Sequence, residues 1–178
     1  MRSDIVNINN AGKGFDAAVE QTRLVAQYKH IGESETTQLQ ILTEEMLSLA
    51  HSVANMDSAS FWIEMEDDRA ELHMTTRVVL DKEKRAELIS SSTSRKNEAA
   101  KTFLGRIRDR FEEAMTADPS FESVSSDVLA DLPGSSLGEA EWDGFERSIL
   151  RKMADEVKIG IHSGIVDITV YKRFGTAK

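Results

Sequence analysis

The chain has 178 residues, of which 40% are hydrophobic, with only 2 prolines and 10 glycines; this is enough for one packed core and excludes a low-complexity or disordered chain. Cysteine is absent, which excludes disulfides, thiol catalysis and cysteine-ligated zinc. The formal net charge of −9, from 31 acidic and 22 basic residues, argues against tracking a nucleic-acid backbone, because that binding draws on Lys and Arg to neutralise phosphates. No stretch approaches the roughly 20 apolar residues of a membrane helix. The N-terminal MRSDIVNINNAGKGF has no apolar run of signal-peptide length. The expected location is therefore the cytoplasm, with neither nucleic acid nor membrane as partner.

Residues 5–8 (IVNI) are short and β-branched and predict a first strand. Phe15, Ala18, Val19, Thr22 and Val25 then fall at helical spacing, predicting a helix over 15–28 that Gly32 ends or interrupts. Ser34 reads as the N-cap of a second helix, whose apolar stripe is Leu39, Leu42, Met46, Leu49, Ala50 and Val53. The period then drops to two. Phe61, Ile63 and Met65 alternate with Trp62 and Glu64. After the polar pair Asp67-Asp68, Leu72, Met74, Thr76 and Val78 alternate with Glu71, His73, Thr75 and Arg77. Two such runs around a tight polar turn predict an antiparallel hairpin with one buried face.

A short charged helix is expected over 82–89, followed by the polar stretch SSSTSRKNE, and Ala100, Phe103, Leu104, Ile107 and Phe111 mark another helix. Residues 116–139 carry Pro119, Pro133, Gly134, Gly138 and many serines, and read as a long lid-like loop. Trp142, Phe145, Ile149 and Met153 share one helical face. Val157, Ile159 and Ile161 alternate, His162-Ser163-Gly164 makes a turn, and Val166, Ile168 and Val170 alternate again. Strands arrive in pairs separated by helices. The expected fold is a single α+β domain over 1–178: a two-layer sandwich, with a mostly antiparallel mixed sheet covered by helices on one face.

The residues that could carry chemistry are few. Glu44 and Glu45 sit on the strongest helix, one of them near the edge of its apolar stripe, where a carboxylate could serve as general base or hold a metal-bound water. The simpler reading is a solvated helix glutamate. His30, His51, His73 and His162 include no i, i+4 pair, so no helical metal site is expected. Ser90, Ser91, Ser92, Thr93, Ser94, Arg95 and Lys96 could grip a phosphate through backbone N–H groups and two cations. The simpler reading there is a flexible linker, since no GxxxxGK[ST], GxGxxG or GxSxG pattern occurs.

The tail, ERSILRKMADEVKIGIHSGIVDITVYKRF, resembles the closing segment of the GHKL (histidine-kinase-like) ATPase fold, shared by histidine-kinase ATPase domains and bacterial anti-sigma-factor serine kinases. The matching pieces are Met153-Ala154-Asp155-Glu156-Val157, His162-Ser163-Gly164, and Val170-Tyr171-Lys172-Arg173-Phe174. QLQILTEEMLSLAHSVAN resembles the family's N-box helix, and the hairpin after it comes in the expected order.

The resemblance implies a pocket for ATP and magnesium. Its N-box helix supplies a Glu that activates water and, four residues on, an Asn that holds the metal. An Asp-x-Gly turn supplies the adenine contact, and glycines before the last helix let backbone amides reach the phosphates. Glu44 stands at the catalytic position, but Ser48 stands where the Asn belongs. Asp81 is the nearest candidate for the adenine contact and lacks its glycine; Gly144 is the one glycine kept before the last helix. Lys96 and Asn97, in the segment 90–97, would serve as phosphate contacts from a lid. The resemblance thus implies a regulatory module that binds a protein partner, such as a sigma factor, an anti-sigma antagonist or a second copy of itself. Weak or absent ATP turnover and no tightly bound cofactor are expected. The alternative is an active ATP-binding serine kinase or ATPase with atypical ligands.

Overall fold

The computed structural model describes residues 1–54, 58–100 and 149–174. Strand β1 (Val6–Asn9) leads into helices α1 (Phe15–Tyr28) and α2 (Glu33–Ala54). The hairpin β2 (Ser58–Met65) and β3 (Arg69–Arg77) follows, then helix α3 (Lys82–Ser91) and a 3₁₀ turn at Glu98–Ala100. Residues 149–153 are helical, and the second hairpin is β4 (Glu156–His162) and β5 (Ile165–Arg173). The five strands form one sheet in the order β1-β2-β3-β5-β4. Every pairing among them is antiparallel, so the mixed sheet expected from sequence narrows to an antiparallel one. The helix predicted around Phe103, the loop at 116–139 and the part before residue 149 of the helix predicted around Trp142 lie outside the described residues.

The register explains the layering. Phe61 stands opposite Met74, Met74 opposite Ile168, and Ile168 opposite Ile159. Ile63, Leu72, Val170 and Val157 form the next row, and all eight residues are buried. Burying an aliphatic or aromatic side chain of this size contributes about 1.5–3 kcal/mol. The alternate row residues, among them Ser60, Trp62, His73, Thr75 and Thr169, are only partly buried. The core therefore lies on one side of the sheet, under α1, α2 and α3, in a single hydrophobic cluster.

Helix α2 buries its predicted stripe of Leu39, Leu42, Met46, Leu49 and Ala50, and also Leu47 and Thr43 off that stripe. It packs on two neighbours at once, the sheet and α1, so its buried face is wider than one stripe. On the α1 side Thr22 and Thr43 meet hydroxyl to hydroxyl at 3.0 Å, with each also near the carbonyl four residues back. These bonds satisfy polar atoms that burial would otherwise penalise.

The ends of the elements have specific causes. α2 begins at Glu33, so Ser34 lies inside the helix rather than capping it; the Thr36 N–H donates to the Gly32 carbonyl instead. The β4–β5 turn is Ser163-Gly164, both with positive φ (48° and 72°), the two-residue geometry that matches strand twist. Lys172 on β5 donates to the Met153 carbonyl at 2.7 Å, placing a cation at a helix C-terminus. Before β1, the chain already runs along β2: the Ser3 N–H donates to the Ile63 carbonyl and the Met65 N–H to the Met1 carbonyl.

Gly14 opens α1 at φ 101°, and a side chain there would run into the Asn7 carbonyl of β1. Gly14→Ala is expected to destabilise the fold by about 2 kcal/mol or more, since it adds a steric clash to a backbone conformation L-residues avoid. Chemical denaturation of the two proteins checks this; an unchanged midpoint would mean that α1 and β1 can part freely.

Candidate functional site

The residues singled out from sequence are placed one by one, and two of them, Asp81 and Asn97, hold backbone. Glu44 is on α2 and exposed, with no hydrogen bond or ion pair among the described residues. Ser48, one turn on, is partly buried. Asp81 is the N-cap of α3: its carboxylate accepts from the Lys84 N–H at 2.8 Å, the usual way a short acidic side chain satisfies a helix's first free donors. Gly144 lies outside the described residues.

The stretch 90–97 is neither a free linker nor an open phosphate grip. It is sewn along the outer edge of β4. The Thr93 N–H donates to the Val157 carbonyl at 2.9 Å, and the Val157 N–H donates to Thr93 Oγ1 at 2.7 Å. Four residues on along each chain, Asn97 repeats the pattern with its side-chain amide alone. Asn97 Nδ2 donates to the Ile161 carbonyl and Asn97 Oδ1 accepts from the Ile161 N–H, both at 2.8 Å. An amide side chain carries the same donor and acceptor as a peptide group, so it can stand in for one residue of a neighbouring strand. Ala99 then lies against Gly160. Ser91 and Ser92 are fully buried, and their hydroxyls donate to the carbonyls of Glu87 and Ile89. Lys96 is exposed beside this seam, and Arg95 takes a positive φ of 52° where the segment bends.

This arrangement does not fit the nucleotide and magnesium that the resemblance implies. Asn97 spends both ends of its amide on backbone and Asp81 one carboxylate oxygen, and Ser48 offers a hydroxyl where the family has an amide oxygen. No step through that cofactor follows from these residues.

The histidines are dispersed. His30 takes φ 56° just after α1, and His51 sits edge-on to Phe15 at 6.1 Å. His162 Nδ1 lies 3.7 Å from Asp167. Among the described residues, no three His, Asp or Glu side chains gather in a group that could hold a metal ion.

His73 is the one histidine in a built environment, and sequence did not single it out from the other three. Its ring stacks on Trp62, centroids 5.0 Å apart and 8° from parallel. Arg2 covers Trp62 at 4.9 Å, and the Trp62 Nε1–H donates to Glu64 at 3.1 Å. Thr169 on β5 lies 3.4 Å from His73 Nδ1, and Glu71 lies 3.5 Å from Nε2. Burial pushes the imidazole pKa down, Glu64 and Glu71 push it up, Arg2 pushes it down again, and the net shift is downward. Only the period-two alternation of both strands, with Trp62 and His73 off the buried face, hinted at this pairing.

No known protein family matches the chain, and no curated protein matches it.

Removing the Asn97 amide leaves the outward N–H and carbonyl of Ile161 without these partners. Asn97→Ala is therefore expected to cost about 1–3 kcal/mol and to speed amide exchange at Ile161. Hydrogen-exchange measurement on the two proteins checks it; protection that is unchanged would show that the seam does not close the edge. For His73, the folded pKa lies below the ordinary value of about 6.5, so the unfolded chain binds more protons between those two values. This contribution to stability is complete above about pH 6.5 and is lost as pH falls through the window. The His73 ring resonance should titrate with a midpoint below that of a free imidazole, and His73→Gln should flatten the change in urea midpoint across the same range. A midpoint above the ordinary value would contradict this.

Proposed function

We propose that the chain is a regulatory, protein-binding module resembling the anti-sigma-factor serine kinases, in which the histidine-kinase-like ATPase architecture is kept for contact and ATP turnover is weak or absent. The supporting observation is the use made of the candidate nucleotide contacts. Asp81 caps α3 and Asn97 closes the β4 edge, so two groups that would hold adenine and phosphate are committed to the scaffold. In this reading the partner is a protein such as a sigma factor or an anti-sigma antagonist, or a second copy of the chain.

One observation favours the alternative of an active ATP-dependent serine kinase. Glu44 is exposed and carries no partner among the described residues, and such a carboxylate is accessible to a reacting hydroxyl or water. In that case Ser48 would take the magnesium, Asp81 the adenine and the segment 90–97 the phosphates.

Calorimetric titration with ATP and magnesium separates the two. The protein-binding reading expects no saturable heat in the micromolar range, and micromolar affinity would overturn it. Glu44→Gln gives the second arm: complex formation with a partner should persist unchanged, whereas the kinase reading requires that phosphorylation of the partner be abolished.

A further inference from the structure

The side of the sheet away from the helices holds a cleft of about 350 Å³ where β1, β2 and β3 end together. Its chemistry is one-sided. Asn7, Ser58, Ser60, Thr75 and Arg77 line it, with Ala59 and Ile165 as apolar walls, and no carboxylate lines it among the described residues. This contrasts with a chain whose net charge is −9.

Register brings these side chains together. Asn7 stands opposite Ser60, Ser60 opposite Thr75, and Arg77 opposite Ile165. Cross-strand neighbours are about 5 Å apart, so the row from Asn7 to Thr75 spans about 10 Å, the length of a small metabolite. Its hydrogen-bonding capacity is uneven in a way that names the ligand. The Ser60 hydroxyl is 3.4 Å from Asn7 Oδ1, which turns the Asn7 NH₂ away as a donor. Thr75 donates its proton to Asp167 at 2.7 Å. The Ser58 hydroxyl and the Arg77 guanidinium have no partner among the described residues. Arg77 is exposed and carries no ion pair there, whereas Arg2, Arg23, Lys29, Arg69 and Lys158 each face a carboxylate. What remains in the cleft is a set of donors around one uncompensated cation. The volume is at the lower end of the range for small-molecule sites, and a guanidinium fork matches a planar or tetrahedral oxyanion.

We propose that this cleft binds a small anionic ligand. Its carboxylate or phosphate group is held by Arg77 and Ser58, and its polar body lies along Ser60 and Asn7. The proposal is independent of the protein-binding reading, because none of the candidate nucleotide contacts lines the cleft. Asp167, one strand over behind Thr75, sets the limit on affinity: its charge repels an anion, and the hydrogen bond from Thr75 only partly offsets it.

The test is a titration of the full ¹⁵N-labelled chain with inorganic phosphate and, separately, with sodium acetate, each against sodium chloride at matched ionic strength. Saturable shifts confined to Asn7, Ser58, Ser60 and Arg77 are expected from one or both probes, and the stronger probe identifies the head group. Arg77→Gln should abolish saturation, Arg77→Lys should weaken it several-fold by keeping the charge and losing the fork, and Asp167→Asn should tighten it. Unaltered amide spectra elsewhere confirm that each variant is folded. Shifts that grow linearly, spread over the whole surface, or survive Arg77→Gln would overturn the proposal.

Discussion

Among the described residues everything hangs on one constraint: a five-stranded antiparallel sheet whose apolar face is removed from water. The pairings place Phe61, Met74, Ile168 and Ile159 in one row and Ile63, Leu72, Val170 and Val157 in the next. Because side chains alternate with a period of two, a one-residue slip of any strand would carry its apolar set to the open face. The helices answer that constraint. α2 contributes Leu39, Leu42, Met46 and Leu47 to the core, and α1 contributes Ala18, Val25 and Ala26. The buried threonine pair between these helices shows how tight the apposition is, since the two hydroxyls must share bonds with each other and with their own helices.

A sheet of this kind has two edges, and open edges invite pairing with other chains. β1 is crowded by Gly14, which brings the start of α1 against the Asn7 carbonyl. β4 is closed by Thr93 and Asn97, which imitate a sixth strand without being one. This closure decides how the serine-rich stretch is understood. Its polar composition suits either a phosphate grip or a loose connection, and composition alone cannot separate these from a third use, in which the same donors and acceptors satisfy a strand's own backbone. Spacing gives the third use away only afterwards: Thr93 and Asn97 are four apart, as are Val157 and Ile161, the residues they serve.

The legible parts of the fold were those governed by periodicity. Both hairpins and the buried parity of residues 61–65 and 71–76 follow from alternation, as do the stripes of α1 and α2, and the polar residues between the runs mark both turns. What sequence missed depends on position in space. Asp81 reads equally well as a ligand or a cap, and only the neighbouring Lys84 N–H distinguishes them. Ser34 has the right chemistry for a cap but stands two residues too late, because the turn through His30 and Ile31 leaves Gly32 at the helix entrance. The tail signature has a mechanical meaning in this chain. Lys172 reaches the Met153 carbonyl, and the Asp155 carboxylate accepts from the Arg173 N–H at 2.5 Å. Its basic and acidic residues therefore fasten the end of the helical residues 149–153 to the last strand.

The open face of the sheet shows how the remaining charge is disposed. Along β2, β3 and β4 it is nearly self-satisfied: Glu64 meets Arg2 and the Trp62 indole, Glu71 meets Arg69 and the His73 ring, and Glu156 meets Lys158, which in turn covers Tyr171. Such partly exposed pairs contribute little stability each, but together they leave little unmatched charge at that end of the face. Toward the ends of β1, β2 and β3 the pattern changes. Small hydroxyl and amide side chains replace the charged ladder, the surface dips into a cleft, and Arg77 stands without a carboxylate opposite it because its cross-strand neighbour is Ile165. On this face a charge finds its partner two residues along its own strand as often as across it, as Arg69 does with Glu71 and Lys158 with Glu156. Arg77 has Thr75 at the first of these places and Ile165 at the second, so neither supplies a carboxylate.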